Sequence, residues 1–271
     1  MIEQLFDPKE LSSLYKSPID SSKGQNGLVT IIGGSKLFHG APLLALTTAS
    51  RIVDMVFFTS PEPSIGKVAE KIKSKLSSFI WVPWEEIDEY VNKSDAILIG
   101  NGMMRYSKEA GDATWKETKE ITKKFLLKYP NKKWVIDAGS LQTIDTAWIP
   151  KGAILTPNQK EYEMLFGSLE ISKVAKKFDC TIVLKGVTTL VCSPQRCMRV
   201  EGGNAGLTKG GTGDVQAGLT VALLAKNDPF LAACAASYIV KKSADNLFEK
   251  VGVYYNADDL ALSIPGILNI V

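Results

Sequence analysis

Seven short, nearly unbroken runs of aliphatic and β-branched residues constrain this chain more than any other feature. They are Leu28–Ile32, Met55–Thr59, Ile80–Val82, Ala96–Ile99, Trp134–Ile136, Ala153–Leu155 and Thr181–Leu184. Runs without polar alternation suit strands buried on both faces. Helical stretches lie between them: Pro42–Val53, Ser107–Lys128, Gln159–Phe166, Asp214–Lys226 and Pro229–Glu249. Within Ser107–Lys128, Ala110, Trp115, Ile121 and Phe125 recur among charges at roughly helical spacing. Such alternation predicts an α/β layered fold, with a mostly parallel central sheet and helices on both faces. Thr188–Cys192 and Met198–Val200 read as a hairpin, which gives the sheet an antiparallel edge. No repeat, low-complexity segment or linker interrupts the pattern, so residues 1–271 are expected to form a single domain.

Composition narrows the function classes. The 271 residues carry a net charge of only +3, without the concentrated basic face of a nucleic-acid binder. The clusters around Lys123–Lys128 and Lys132–Lys133 read as solvated helix faces. No apolar run reaches the roughly 18 residues needed to cross a membrane, and the first 20 residues lack a signal-peptide core. The expectation is a soluble cytoplasmic protein that binds neither nucleic acid nor membrane. Four cysteines do not make a disulfide framework. Cys192 and Cys197 have no third or fourth ligand for zinc nearby and read as thiols, like Cys180 and Cys234. His39, the only histidine, precedes a helical run and reads as a loop residue. No residue is assigned to a metal.

In open α/β sheets ligands bind beyond the carboxyl ends of the strands. Glycine and polar residues gather there: GGSKLFHGA after Ile32, GNGMM after Ile99, DAGSL after Ile136, TPNQKE after Leu155 and KG after Leu184. The turn at Gly100 and Gly102 lacks the third glycine of a dinucleotide fingerprint, and no phosphate-binding GxxxxGK[ST] loop occurs. The strongest segment runs from Gly202 to Ala225. Gly210, Gly211, Thr212 and Gly213 precede Asp214 at the start of a long helix. Glycines there expose backbone N–H groups, and the helix N-terminus favours an anion such as phosphate. Asp214 either serves the helix end or takes a proton from a hydroxyl attacking a phosphoryl group.

Gly210–Asp214, followed by a small-residue helix, resembles the anion hole of the ribokinase-like superfamily. The ordered set IGGS…GA, ILIGNGM, VIDAGSL, ILTPNQKE, IVLKGVTT and GNAGLTKGGTGD is similar to the NAD(P)H-hydrate dehydratases, from about Gly27 to Lys226. The resemblance implies a ribokinase-like fold and repair of hydrated NADH and NADPH. ADP or ATP would phosphorylate the hydrate hydroxyl, with Mg²⁺ on the nucleotide phosphates, and loss of phosphate would restore the double bond. Residue by residue it implies Ala41, Gly102, Asn158 and Asp214 at the hydrated substrate. It implies Lys185, Gly186, Val187, Thr188, Thr189 and Gly213 at the adenine nucleotide. Gly210, Gly211, Thr212 and Gly213 form the anion hole, and Asp214 is the catalytic base. It also implies a homo-oligomer, often a tetramer. The usual N-terminal epimerase domain does not fit before Gly27, so a separate epimerase is expected.

The chain departs from the family pattern at Asn158, where many relatives have histidine. It departs again at Gly139, where an acid is common, and at Lys209, which either touches phosphate or points to solvent. A kinase of a small hydroxylated metabolite and a non-catalytic nucleotide sensor share much of this signature. The product separates the first from a dehydratase, and the intact Asp214 argues against the second.

Overall fold

Neighbouring residues of the central strands face opposite cores. In the strand Ala96–Ile99, Ala96 and Leu98 join one apolar cluster while Ile97 and Ile99 join the other. Both sets are fully buried, which is why the run shows no polar alternation. The structure, a computed structural model, describes residues 3–105 and 114–269.

Among the described residues one sheet contains β1 (Glu3–Leu5), β2 (Leu28–Ile32), β3 (Met55–Thr59), β4 (Ile80–Trp81), β5 (Ala96–Ile99), β6 (Lys133–Ile136), β7 (Ile154–Leu155), β8 (Thr181–Leu184), β9 (Thr189–Cys192) and β10 (Cys197–Val200). Their order is β1-β10-β9-β8-β7-β6-β5-β2-β3-β4. Only β9 runs antiparallel to its neighbours. The mostly parallel α/β sheet expected from the aliphatic runs is therefore present. The hairpin is not its edge, however, because β1 pairs in parallel outside β10.

The helices are α1 (Gly40–Ala49), α2 (Ser64–Ile72), α3 (Ile87–Lys93), α4 (Thr114–Lys128), α5 (Ala138–Thr143), α6 (Gln159–Phe166), α7 (Ile171–Phe178), α8 (Thr212–Lys226), α9 (Pro229–Val251) and α10 (Ala257–Leu268). Buried residues of α1, α2, α8, α9 and α10 cover one face of the sheet. Those of α3, α4, α5, α6 and α7 cover the other. The expected start of a helix at Ser107 lies outside the described residues.

One reading of the cysteines is corrected. Cys192 and Cys197 form a disulfide rather than remaining thiols. Cys192 closes β9, Cys197 opens β10, and the antiparallel register sets them directly opposite. Cys180 and Cys234 are free and buried.

The strand order has a consequence for binding. The chain leaves β2 for β3 and β4 on one side, then returns to β5 on the other. A crevice forms at the carboxyl ends where such a sheet changes direction. Gly33–Gly34 and Gly100–Gly102 lie at that switch point.

Candidate active site

Asp214 is the third residue of α8, whose N-cap, Gly211, has a φ of 93° and makes no side-chain cap bond. No other residue fits at Gly211. An added Cβ would stand 2.4 Å from Leu44 Cδ1 and 2.9 Å from Ala257 Cβ. The amides of Gly213 and Asp214 precede the first intrahelical bond, which runs from Val215 N–H to the Gly211 carbonyl, while the Thr212 N–H donates to the Lys209 carbonyl at 3.4 Å. By contrast, the Asp228 carboxylate caps α9 and a capping box closes α10. The open end of α8 suits an anion. The Thr212 hydroxyl is spent locally, on the carbonyls of Leu207 (2.7 Å) and Lys209 (2.9 Å). Any anion there is met by backbone, not by that side chain.

Four strand ends converge on α8. Lys185, after β8, forms an ion pair of 3.0 Å with Asp137, after β6. The Thr156 hydroxyl, after β7, donates to the same Asp137 oxygen at 2.7 Å. Asn101, after β5, donates from its amide to the other Asp137 oxygen at 3.1 Å and also to Asp214 Oδ1. Gly213 completes the ring, since a Cβ on it would lie 3.5 Å from Lys185 Nζ. Three carboxylates, Asp137, Glu161 and Asp214, thus surround one lysine. Burial alone would loosen the Lys185 proton, but Asp137, Glu161 and Asp214 outweigh it and raise its pKa. Burial, and then the Asp137 charge, push the Asp214 carboxyl up to about 6 from the usual 3.8. Glu161 adds to that rise, while the Asn101 hydrogen bond and Lys185 oppose it. Asp137 accepts from Lys185, Thr156 and Asn101 together. Asp214 is the one poised to exchange a proton.

The remaining expected residues fall around this centre. Ala41 is in the first turn of α1, and a Cβ on Gly102 would come within 3.2 Å of its Cβ. Gly102 could hardly be another residue, with φ at 69° and the Phe38 carbonyl 2.6 Å from that Cβ position. Asn158 caps α6, its Oδ1 accepting from Glu161 N–H at 3.0 Å. A bridge to Lys185 brings it to the rim. Its acceptor is therefore committed, and its amide N–H groups are what it can offer a ligand. Gly186, Val187 and Thr188 form an exposed loop, whereas Thr189 is buried in β9.

Lys241 of α9, only 5% exposed, holds this loop. Its ammonium donates to the carbonyls of Gly186 (3.2 Å), Val187 (2.6 Å) and Gly202 (2.9 Å). Burial lowers its pKa. Lys209 is exposed, and its ammonium is bound to the carbonyls of Val253 and Tyr255. A cavity of about 420 Å³ lies next along the rim, lined by Gly34–Leu37, Pro61–Pro63, Met103, Met104 and the first two turns of α4.

Asn101, Asp137, Thr156, Glu161 and Lys241 were not singled out from the sequence. The first four lie in the strand-end clusters noted there. Lys241 sits mid-helix and carries no local signal.

The sheet order and flanking helices make the fold ribokinase-like. A ribokinase-like superfamily protein of Enterococcus faecalis superposes with a TM-score of 0.82 at 22% identity, over 99% of this chain and 96% of the other. The family model of NAD(P)H-hydrate dehydratases matches residues 29–266, and the chain belongs to that family. A bifunctional NAD(P)H-hydrate repair enzyme of Methanocaldococcus jannaschii is 37% identical over 96% of this chain and 52% of its own length. The chain thus spans about half the length of the first curated relatives it matches. An ADP-dependent (S)-NAD(P)H-hydrate dehydratase of Neisseria meningitidis is 30% identical, over 86% of this chain and 81% of its own. The ADP/ATP-dependent NAD(P)H-hydrate dehydratase of Bacillus subtilis, co-crystallized with ATP/Mg²⁺, superposes with a TM-score of 0.78 at 21% identity, covering 100% and 99% of the two chains.

Proposed function

We propose that this protein dehydrates hydrated NADH and NADPH at the expense of ADP or ATP. The observation that carries the reading is Asp214, a carboxylate pushed up to about 6 beside the uncapped start of α8. A base of that strength is ionised at neutral pH yet accepts a proton readily. Asp214 takes the proton of the hydrate hydroxyl as its oxygen bonds to the terminal phosphorus, and the nucleotide leaves shortened by one phosphate. The first-turn amides of α8 and the Lys185 ammonium stabilise charge on the transferring group. Loss of phosphate, with a proton from the adjacent carbon, then restores the nicotinamide double bond. Phosphate leaves where hydroxide would not, so a phosphoryl-transfer site serves a lyase.

In this reading Ala41, Gly102, Asn158 and Asp214 contact the hydrated nucleotide, and the cavity beyond Met103 has room for more of the dinucleotide. Lys185–Thr189 and Gly213 hold the adenine nucleotide, with Gly210–Gly213 as the anion hole. Among the described residues no three His, Cys, Asp or Glu side chains are grouped to hold a metal ion. Mg²⁺ therefore fits as a passenger on the nucleotide phosphates, where it would neutralise their charge. The proposal extends to one ribokinase-like domain over residues 1–271, a cytoplasmic homotetramer, and an epimerase supplying the reactive hydrate epimer. Among the described residues no helix is long and apolar enough to cross a membrane.

The test is Asp214→Asn, which keeps the side chain's size. With hydrated NADH, Mg²⁺ and either ADP or ATP, recovery of reduced-nicotinamide absorbance should fall about 10² to 10⁴-fold. ADP binding by calorimetry should stay near normal. Retained turnover would remove Asp214 from the chemistry. A stable phosphorylated product in place of free phosphate would make the protein a kinase instead.

A further inference from the structure

We propose that Asn101 is the positioning residue for Asp214: its one amide NH₂, divided between Asp137 and Asp214, fixes the Asp214 carboxylate and keeps the two acids apart. This rests on the reading of Asp214 as the base. Asn101 is fully buried, at 0% exposure. Its backbone is held from both sides. Gly34 N–H donates to the Asn101 carbonyl at 2.8 Å, and a Cβ on Gly33 would lie 2.3 Å from that oxygen. Gly100 and Gly102 flank it with φ of 117° and 69°, a turn open to glycine and few other residues.

The orientation of the amide follows from its neighbours. Both partners are carboxylates, so the NH₂ must face them; reversed, Oδ1 would oppose two negative oxygens. The same constraint leaves Asn101 Oδ1 buried with no donor among the described residues. An unpaired buried acceptor destabilises a fold, so packing alone does not account for an asparagine here. Holding two acids in fixed relation does.

The groups facing Asp214 are Asp137 from the end of β6, Glu161 from α6, Lys185 from the end of β8 and Asn101 from the end of β5. Asp137 has Lys185 and Thr156 on Oδ1 and Asn101 on Oδ2. Among the described residues, Asn101 is the one side chain that hydrogen-bonds Asp214. With Oδ1 held, Oδ2 remains to receive the substrate proton. Without Asn101, Asp214 loses a donor that favours its ionised form and Asp137 faces it unshielded.

The experiment is the pH profile of turnover with hydrated NADH, ADP and Mg²⁺, for the wild type, Asn101→Ala and Asn101→Asp. The acidic limb should move up by about one pH unit in Asn101→Ala. It should move further in Asn101→Asp, which adds a carboxylate. At neutral pH kcat of Asn101→Ala should fall about twofold from the lost ionisation alone while the KM for ADP changes little. A residue with only a structural role would lower rate and melting temperature together without moving the limb, and an unmoved limb in both variants overturns the proposal. A second measurement needs no variant. In asparagine-¹⁵N-labelled wild-type protein, one side-chain NH₂ pair should titrate with the midpoint of the acidic limb, and its absence also overturns the proposal. If Asp214→Asn kept normal turnover, the parent reading would fall first. An inactive Asp214→Asn with an unmoved limb would remove Asn101 alone.

Discussion

Asp214 is held in a form that costs stability. Its carboxyl, ordinarily near 3.8, titrates at about 6 in the folded protein, mainly through burial and Asp137. Between those values the folded chain binds more protons than the unfolded one, so stability declines as pH rises from about 4 to about 6. Above that window both states are ionised and the whole penalty is present; below it both are protonated and it vanishes. Asp214→Asn should therefore stabilise the protein at pH 7 by on the order of 1–3 kcal/mol, reduced by solvent screening at this half-buried site. The gain should disappear near pH 4. Urea melts of both proteins across that range check it, and an equal or lower stability of the variant at pH 7 contradicts it. The site was legible wherever a polar residue follows a strand directly, because strand ends meet at one rim whatever the loops do. Lys185 was read that way, directly after β8, whereas Asp214 was read from the glycines that precede the long helix α8. Asn101 was hidden between two glycines whose turn drew the attention. Lys241 was invisible because a lysine inside a helix reads as solvent-facing until the loop it clamps is seen.

At the scale of elements, α1 and α8 meet closely at Gly218. A Cβ there would lie 2.5 Å from the Ala45 carbonyl oxygen and 2.6 Å from Ala45 Cα. Alanine in place of glycine gains roughly 1 kcal/mol of helix propensity. Overpacking costs about 1–3 kcal/mol, and more where the atoms struck are backbone and cannot swing aside. The clash wins, so Gly218→Ala should destabilise the fold by about 1–2 kcal/mol and raise the KM for the hydrate, since α1 carries Ala41. Gly266→Ala in α10 meets nothing within 4 Å and should instead stabilise slightly. Denaturant titration of the pair decides the matter; Gly218→Ala at wild-type stability would show that the helices can part without cost. The central aliphatic strands were readable because burial on both faces leaves no other composition, and the edge strand β4, with Ile80 exposed, was readable from its aliphatic and aromatic run alone. β1, α2, α3, α5 and α7 were not. Each is short, from 3 to 9 residues. β1 exists through its pairing with β10, and α7 through an apolar stripe of Ile171, Val174 and Ala175 that about two turns barely announce. The disulfide was missed for a related reason: the hairpin register, not the spacing, opposes Cys192 and Cys197.

At the scale of the whole molecule, one sheet divides two cores, and α8 lies within the first of them. Every residue of α8 from Val215 to Ala225 is buried. It packs against α1, α9, α10 and the central strands β2, β5 and β6. The group read as the base is thus mounted on a helix buried along nearly its whole length, while the loop Gly186–Thr188, proposed to meet the nucleotide, lies open to solvent. Amide hydrogen–deuterium exchange should separate the two. The loop amides should exchange through small local openings, and those of mid-α8 only through global unfolding. Warming should then abolish catalysis and tertiary structure at a single temperature, because the base has no way to drift out of line before the fold itself gives way.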